Sequence, residues 1–446
     1  MIAPEAAIAV NRFGLGAKPG ELAAAASDPR GWIIQQLELP AGLPPRLADL
    51  APGRQRLAEI ERFSQDKKNP DFQKMIRGNL RDAYMAEAAA RTQNQIETKQ
   101  PVLERFVAFW SNHFTVSVQR PKILGLSGAF EREAIRPHVT GRFLDMLAAS
   151  TRHPAMLLYL DNAQSIGPDS IAGRRQNKGL NENLAREILE LHTVGVDGGY
   201  SQTDVREFAK ILTGWSVVRL KDGEQADNRS FQFYDRIHEP GDKTLLGVEY
   251  REVGEEEGTR ALAVIARHPA TAKHVATKLA RHFMADEPAP AAVARLTDIF
   301  RKTDGNLKAL ALALVSSPET WAEPLPKVKT PNEFVVSALR ATGFDGKPEV
   351  LVGSLRVLGQ APFAAPSPAG WPDIADQWIG PESVLRRAEW AMALALRTGP
   401  SHDPNTLLEE TIAPLAKPDT KTAVARAPSA ADAAALIFAS AEFQRR

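Results

Sequence analysis

The chain has 446 residues, 43% hydrophobic and 24% charged, with 55 Lys and Arg against 54 Asp and Glu. That is a globular composition, long enough for one large or two ordinary domains. The near-zero balance lacks the basic surplus of a phosphate-reading nucleic-acid protein, apart from short clusters such as Arg174, Arg175 and Lys178, and the absence of cysteine removes disulfides, thiolate metal sites and cysteine nucleophiles.

The opening MIAPEAAIAVNRFGLG carries no basic segment ahead of its apolar stretch, and that stretch is short for a signal peptide, so cytoplasm is the expected compartment. No window reaches about 18 consecutive apolar residues, so no transmembrane helix is expected. Gly14-Leu15-Gly16 has no strand before it and no third glycine, and no other nucleotide-cofactor motif is present. Val102, Phe106, Phe109 and Trp110 recur at helical spacing. The helix they predict ends in FWSNHFTVS (109–117), which brings up Asn112 and His113. A histidine beside Phe and Trp is either a hydrogen-bonded core residue or a general base or metal ligand. Asp161 and Asn162, in LYLDN, could cap a helix or reach a site.

Residues 180–204, LNENLAREILELHTVGVDGGYSQTD, crowd acidic, amide and basic side chains onto one predicted helix. With Asn183 at zero and about 100° per residue, Glu187 falls near 40°, Glu190 near −20°, Arg186 near −60° and Glu182 near −100°. Leu184, Ile188 and Leu191 lie at about 80–140°, and His192 at about 180°, away from every carboxylate. A di-iron Glu-x-x-His arrangement is therefore rejected. Two readings stay open. In one, Glu182, Arg186 and Glu190 form a solvated ladder, Asn181 caps the helix and Gly195 ends it. In the other, Asn183, Glu187 and Glu190 turn inward, and a buried carboxylate pair must then share a proton or hold a cation, leaving room for a divalent metal. Ser201 with Asp204 predicts a capping box for the next helix, Val205–Leu212.

Residues 228–250 alternate apolar and polar around Phe231, Phe233 and Ile237. With a turn at 240–242 and a return strand from Leu245 to Tyr250, they predict a β-hairpin insertion. The Ala-rich windows 259–283 and 306–316 predict helices, with Asn306 as a cap, and Pro331 sits where a further helix would begin. The Pro-rich stretch 360–381 carries Trp371 and Trp378 and predicts a long functional or clasping loop. Residues 400–430 predict a flexible approach to the C-terminal helix. The fold class expected is mainly α, a large multi-helix single domain with that small insertion.

The motifs NRFGLGA (11–17), FWSNHFTVS (109–117), LNENLAREILELHTVGVDGGYSQTDVREFAKILTGW (180–215), KTLLG (243–247), KTPNEFVVSALRATG (329–343) and SPAGWPD (367–373) occur in that order. Together they resemble the large bacterial family catalogued as domain of unknown function 1800, over nearly the whole chain. The resemblance implies a shared site or structural keystone at Asn112, His113, Asn181, Glu182, Asn183, Arg186 and Glu187. It also implies a sulfatase-like partner with a twin-arginine signal, and so a route to the periplasm in a partner's company. The leading expectation is an enzyme or enzyme-like binding protein that hydrolyses or transfers a group on a polar, envelope-derived substrate. Glu187 or Glu190 would be its general acid or base and His113 the proton partner, with Asn112, Asn181, Glu182, Asn183 and Arg186 holding substrate. The alternative is a non-catalytic partner or maturation factor using Trp371 and Trp378 as its contact.

Overall fold

A computed structural model describes residues 2–65, 69–176, 179–219, 230–322, 325–343, 346–398 and 403–446. Lys178 of the short basic cluster, and residues 228 and 229 of the expected hairpin, lie outside the described residues. Among the described residues the structure is mainly α-helical, with four three-residue strands.

Proline starts most of the long helices, where its missing N–H costs nothing and its fixed φ suits the first turn. α1 (Pro70–Glu97) follows the cap Asn69, and α2 is Pro101–His113. α3 (Asn183–Glu187) runs into a π turn, Ile188–His192, which the chain leaves through Gly195 at φ 84°. α4 (Gln202–Leu212) opens on the expected Ser201–Asp204 capping box. Strands β1 (Trp215–Val217), β2 (Phe231–Phe233), β3 (Lys243–Leu245) and β4 (Val248–Tyr250) come next, then α5 (Glu255–Ala266) and α6 (Pro269–Phe283). α7 (Pro331–Thr342) carries a Thr330–Glu333 capping box. Four C-terminal helices follow: α8 (Pro381–Thr398), α9 (Pro404–Thr411), α10 (Pro418–Ala425) and α11 (Ala430–Ala439).

The inward stripe of α2 fixes the central packing. Val102, Phe106, Phe109 and Trp110 are all buried, and Phe106 stacks on Phe283 of α6 at 4.7 Å between ring centres. Phe13 covers the other side of Phe283 at 5.5 Å. Burying an aromatic side chain contributes roughly 1.5–3 kcal/mol each, so this stack holds α2 and α6 side by side. A second apolar cluster gathers Phe334 and Leu339 of α7 with Leu394, Leu407, Ile437 and Phe438.

The β insertion is present, but its pairing differs from the single hairpin expected over 228–250. Phe231–Phe233 pairs antiparallel with Trp215–Val217, and Lys243–Leu245 pairs with Val248–Tyr250. The reason is the turn at Leu246-Gly247, where both residues have positive φ. Such a two-residue turn matches strand twist and closes β3 onto its immediate neighbour. Pro240-Gly241-Asp242 therefore links two hairpins instead of turning one, and Ile237 lies in a short 3-10 turn. Buried Glu257 ties the insertion to α5 through Lys243 at 2.9 Å and His238 at 3.2 Å.

The segment expected to be a flexible approach, 400–430, is largely helical, with residues 399–402 outside the description. Its prolines sit at helix starts, Asp403 caps α9 by accepting from the Thr406 amide, and Leu407, Leu408, Ile412 and Val424 are buried. Proline suits the first turn of a helix, which is why a Pro-rich stretch forms α9 and α10 here.

Candidate functional site

The polar side of residues 181–190 is half-buried, with only Asn183 exposed. Glu182 accepts from Arg186 at 2.9 Å and Gln202 at 2.7 Å, and pairs with Arg206 at 3.3 Å, linking α3 to α4 across exposed surface. Burial alone would raise its carboxyl, but Gln202, Arg206 and Arg186 hold it below the usual range. The Asn181 Oδ1 accepts from the Asn183 amide at 2.9 Å, a capping role, and Asn183 is exposed. Glu187 is half-buried, and its carboxyl is raised by desolvation and then by Glu190. Glu190 is also half-buried, beside the Tyr200 hydroxyl. The buried side of this helix carries Leu184, Ala185, Ile188, Leu189 and His192. The π turn explains one departure from the helical wheel: Leu189 is buried, while Leu191 is only half-buried and points to a cavity.

That cavity is the larger chemical opportunity. It has a volume of about 590 Å³ and lies between α2, α6, the start of α7 and the loop of residues 360–374. Of the sequence-nominated residues it brings together Asn112, His113 and Trp371; Asn181, Glu182, Asn183, Arg186, Glu187 and Glu190 do not line it. Asn112 is used by the protein itself. Its Nδ2 donates to the Trp371 carbonyl at 2.9 Å and its Oδ1 accepts from the Trp371 amide at 2.7 Å, clamping the loop to α2. Gly370, at φ 85°, makes the close approach that this clamp needs. Trp371 is half-buried, and Trp378 is 8% exposed, its Nε1 donating to the Pro372 carbonyl at 2.9 Å. The two rings lie 6.0 Å apart, so they close the cavity wall more than they present a face. Asp161 pairs with Arg120 at 2.6 Å, and Asn162 donates to the Leu212 and Trp215 carbonyls, so both hold the scaffold.

His113 is 2% exposed, packed between Trp110 and Phe114. Its Nε2 lies 3.0 Å from the His192 carbonyl, which assigns the proton to Nε2 and leaves Nδ1 without a partner. Burial pushes this imidazole well below 6.5, reinforced by Lys278, His192 and His274. His192 and His274 are likewise lowered, to about 3 and about 4, first by burial and then by Lys278.

α6 supplies the residues that sequence reading passed over. His274, Lys278 and His282 are spaced four apart, so they share one helix face, with Arg281 beside them. The Ala-rich composition of 259–283 predicts only a helix; the repeat H-x-x-x-K-x-x-x-H at 274–282 is the signal in the sequence that marks this face. His282 Nδ1 lies 2.6 Å from Asp373 Oδ2, and its buried Nε2 has no partner among the described residues. Burial lowers His282 to about 4, against the opposing pull of Asp373. Asp373 is held far below the usual carboxylate range: desolvation opposes ionisation, but His282, Arg446 and Lys327 outweigh it. Glu333, pulled down to about 2 by Arg446 and Arg105 against its own desolvation, pairs with both of them.

Lys278 differs from these groups. It is half-buried, lines the cavity, and among the described residues makes no hydrogen bond or ion pair. Burial lowers its ammonium to about 8, against the attraction of Asp373. Lining cations are Arg91, Arg105, Lys278 and Arg281; lining carboxylates are Glu333 and Asp373. Arg91 is matched by Glu131 and Arg105 by Glu333, while Asp373 is matched by His282, Lys327 and Arg446. The cavity thus carries a positive excess at Lys278 and Arg281. Among the described residues no group of three or more His, Asp or Glu side chains converges as a metal site, so the divalent metal considered from the sequence has no ligand set there.

The fold and this cavity define a helical protein with a cation-lined chamber walled by a proline-rich loop. The chain belongs to the family described as protein of unknown function (DUF1800), whose model matches residues 8–445. No curated protein and no solved structure is similar enough to match. Among the described residues no helix is long and apolar enough to cross a membrane.

Proposed function

We propose that the protein is an enzyme or enzyme-like binding protein whose cavity between α2, α6 and the 360–374 loop takes a small polar anion, a carboxylate or a phosphate. The observation that carries this reading is the Lys278 ammonium, partly withdrawn from water with no counter-charge. A charge in that position is costly unless paired, and an anionic ligand supplies the pair. For a hydrolytic or group-transfer reaction, the acid–base unit is His282 with Asp373 in place of Glu187, Glu190 and His113. The carboxylate fixes the Nδ1 proton and leaves the Nε2 lone pair as proton acceptor, the arrangement general-base catalysis requires.

The test is thermal stability in low salt with inorganic phosphate and with acetate, on the wild type and Lys278→Met. A ligand at a hundredfold its Kd stabilises by about 2.7 kcal/mol. The wild type is expected to gain stability and the variant not to. Equal gains in both, or none in the wild type, would end the reading. The competing role, a non-catalytic partner or maturation factor of a sulfatase-like protein, draws less support, because Trp378 is buried and Trp371 is clamped to Asn112.

A further inference from the structure

We propose that Lys278 is a reactive amine that condenses with the carbonyl of an anionic aldehyde or ketone to form an imine in the cavity; this rests on the anion site proposed above and names its substrate class. Three features of the geometry support it. First, Lys278 lines an open cavity and is only half-buried, so its side chain is not sealed from a ligand held there. Second, among the described residues no carboxylate pairs with the ammonium: the acid that exerts a pull on it is Asp373, which is already committed to His282, Lys327 and Arg446. Third, the groups around it are imidazoles that do not neutralise it. His274 and His282 stand one turn away on either side along α6, and His113 and His192 feel its charge from α2 and the π turn. Arg281, beside it on the same helix, supplies a second cation for the ligand's anionic group.

The step balances without oxidant or reductant. The ammonium gives one proton to the medium, and the freed lone pair adds to the carbonyl carbon as the C=O π pair moves to oxygen. Two proton transfers turn that oxygen into water, which leaves as the C=N bond forms. The net reaction is amine plus carbonyl giving imine plus water. The lowered pKa, about 8, places a usable fraction of Lys278 in the free-amine form at neutral pH.

Two other lysines are internal controls. Lys273 lies on the same helix and is exposed. Lys329 is lowered further, to about 7, but it is buried, with Nζ donating to Asn11 Oδ1 at 3.0 Å and Ser337 Oγ at 3.2 Å, so no reagent reaches it.

The experiment treats the intact protein with limiting glyoxylate and cyanoborohydride at pH 7.5 and maps the adducts by peptide mass spectrometry. Lys278 is expected to be trapped roughly tenfold or more faster than Lys273, because it lines the cavity that would concentrate the anionic aldehyde and its own ammonium is lowered to about 8, and inorganic phosphate is expected to protect it. Trapping of Lys278 no faster than Lys273 would overturn the proposal. Lys278→Arg keeps the cation and removes the nucleophile. If phosphate stabilises both the wild type and Lys278→Arg while glyoxylate leaves Lys278 unmodified, the anion site stands and the imine chemistry falls. If phosphate stabilises neither, both readings fall.

Discussion

Replacing Asn112 with Ala separates a structural clamp from a substrate contact. The side chain makes two hydrogen bonds to one residue, to the Trp371 carbonyl at 2.9 Å and from the Trp371 amide at 2.7 Å. Each is worth about 1 kcal/mol net, so the variant should release the loop from α2 by about 2 kcal/mol. At 1.4 kcal/mol per factor of ten, amide exchange across residues 367–374 should then accelerate by roughly 25-fold. The global effect is small by comparison: for a chain of 446 residues, a 2 kcal/mol change lowers Tm by only about 2 °C. Hydrogen exchange read by mass spectrometry is therefore the right assay, and a melting curve is not. Asn112→Asp is the informative partner. It keeps an acceptor for the Trp371 amide but sets an oxygen against the Trp371 carbonyl, so it should rescue no more than about half of the loss. Unchanged exchange over 367–374 in Asn112→Ala, together with lost ligand affinity, would refute the clamp and return Asn112 to the role of substrate contact.

Other outcomes follow from neighbouring parts of the structure. Gly370→Ala should loosen the same peptides at least as much, because the added Cβ would stand 2.5 Å from the Asn112 carbonyl oxygen at a φ of 85°; exchange on the same fragments checks it. Glu187→Gln should stabilise at pH 7 by about 0.5 kcal/mol, the size of a like-charge pair on a helix. The folded carboxyl is raised, so the wild type loses stability as pH climbs through the window above the unfolded value, and the difference between variants should vanish below about pH 4 in denaturant titrations. Glu257→Gln strands the buried Lys243 ammonium and should cost about 3–5 kcal/mol. The folded Glu257 carboxyl is lowered, so the wild type should lose this contribution as pH falls through its folded value while the variant shows a flatter acid limb. Lys278 has the opposite sign from an ordinary paired lysine: its folded value, about 8, lies below 10.5, so wild-type stability should rise between those pH values and Lys278→Met should lack the rise.

The sequence by itself determined the helical architecture, because that information is local. Apolar side chains at three- and four-residue steps define the buried face of α2, Ser201 with Asp204 and Thr330 with Glu333 write helix starts, and Gly195 writes an exit. The separation of His192 from the carboxylates was also within reach of a helical wheel, which left the exposure of Glu182 and Arg186 open; the π turn then added a residue and moved Leu191 from the core to the cavity edge. Strand pairing was not legible, since a three-residue strand has no preference for a partner until a turn such as Leu246-Gly247 closes it.

The cavity lay beyond the sequence for a different reason. Its parts are far apart in the chain: Asn112 and Trp371 are separated by 259 residues, His282 and Asp373 by 91. Only the stacking of α2 on α6 and the folding of the 360–374 loop over both decide that Asp373 finds His282 and that none of the described residues pairs with Lys278. Burial is a property of the packed chain, and it is burial that turns a surface-type lysine into an acidic, unpaired one and a carboxylate into part of a fixed ion network.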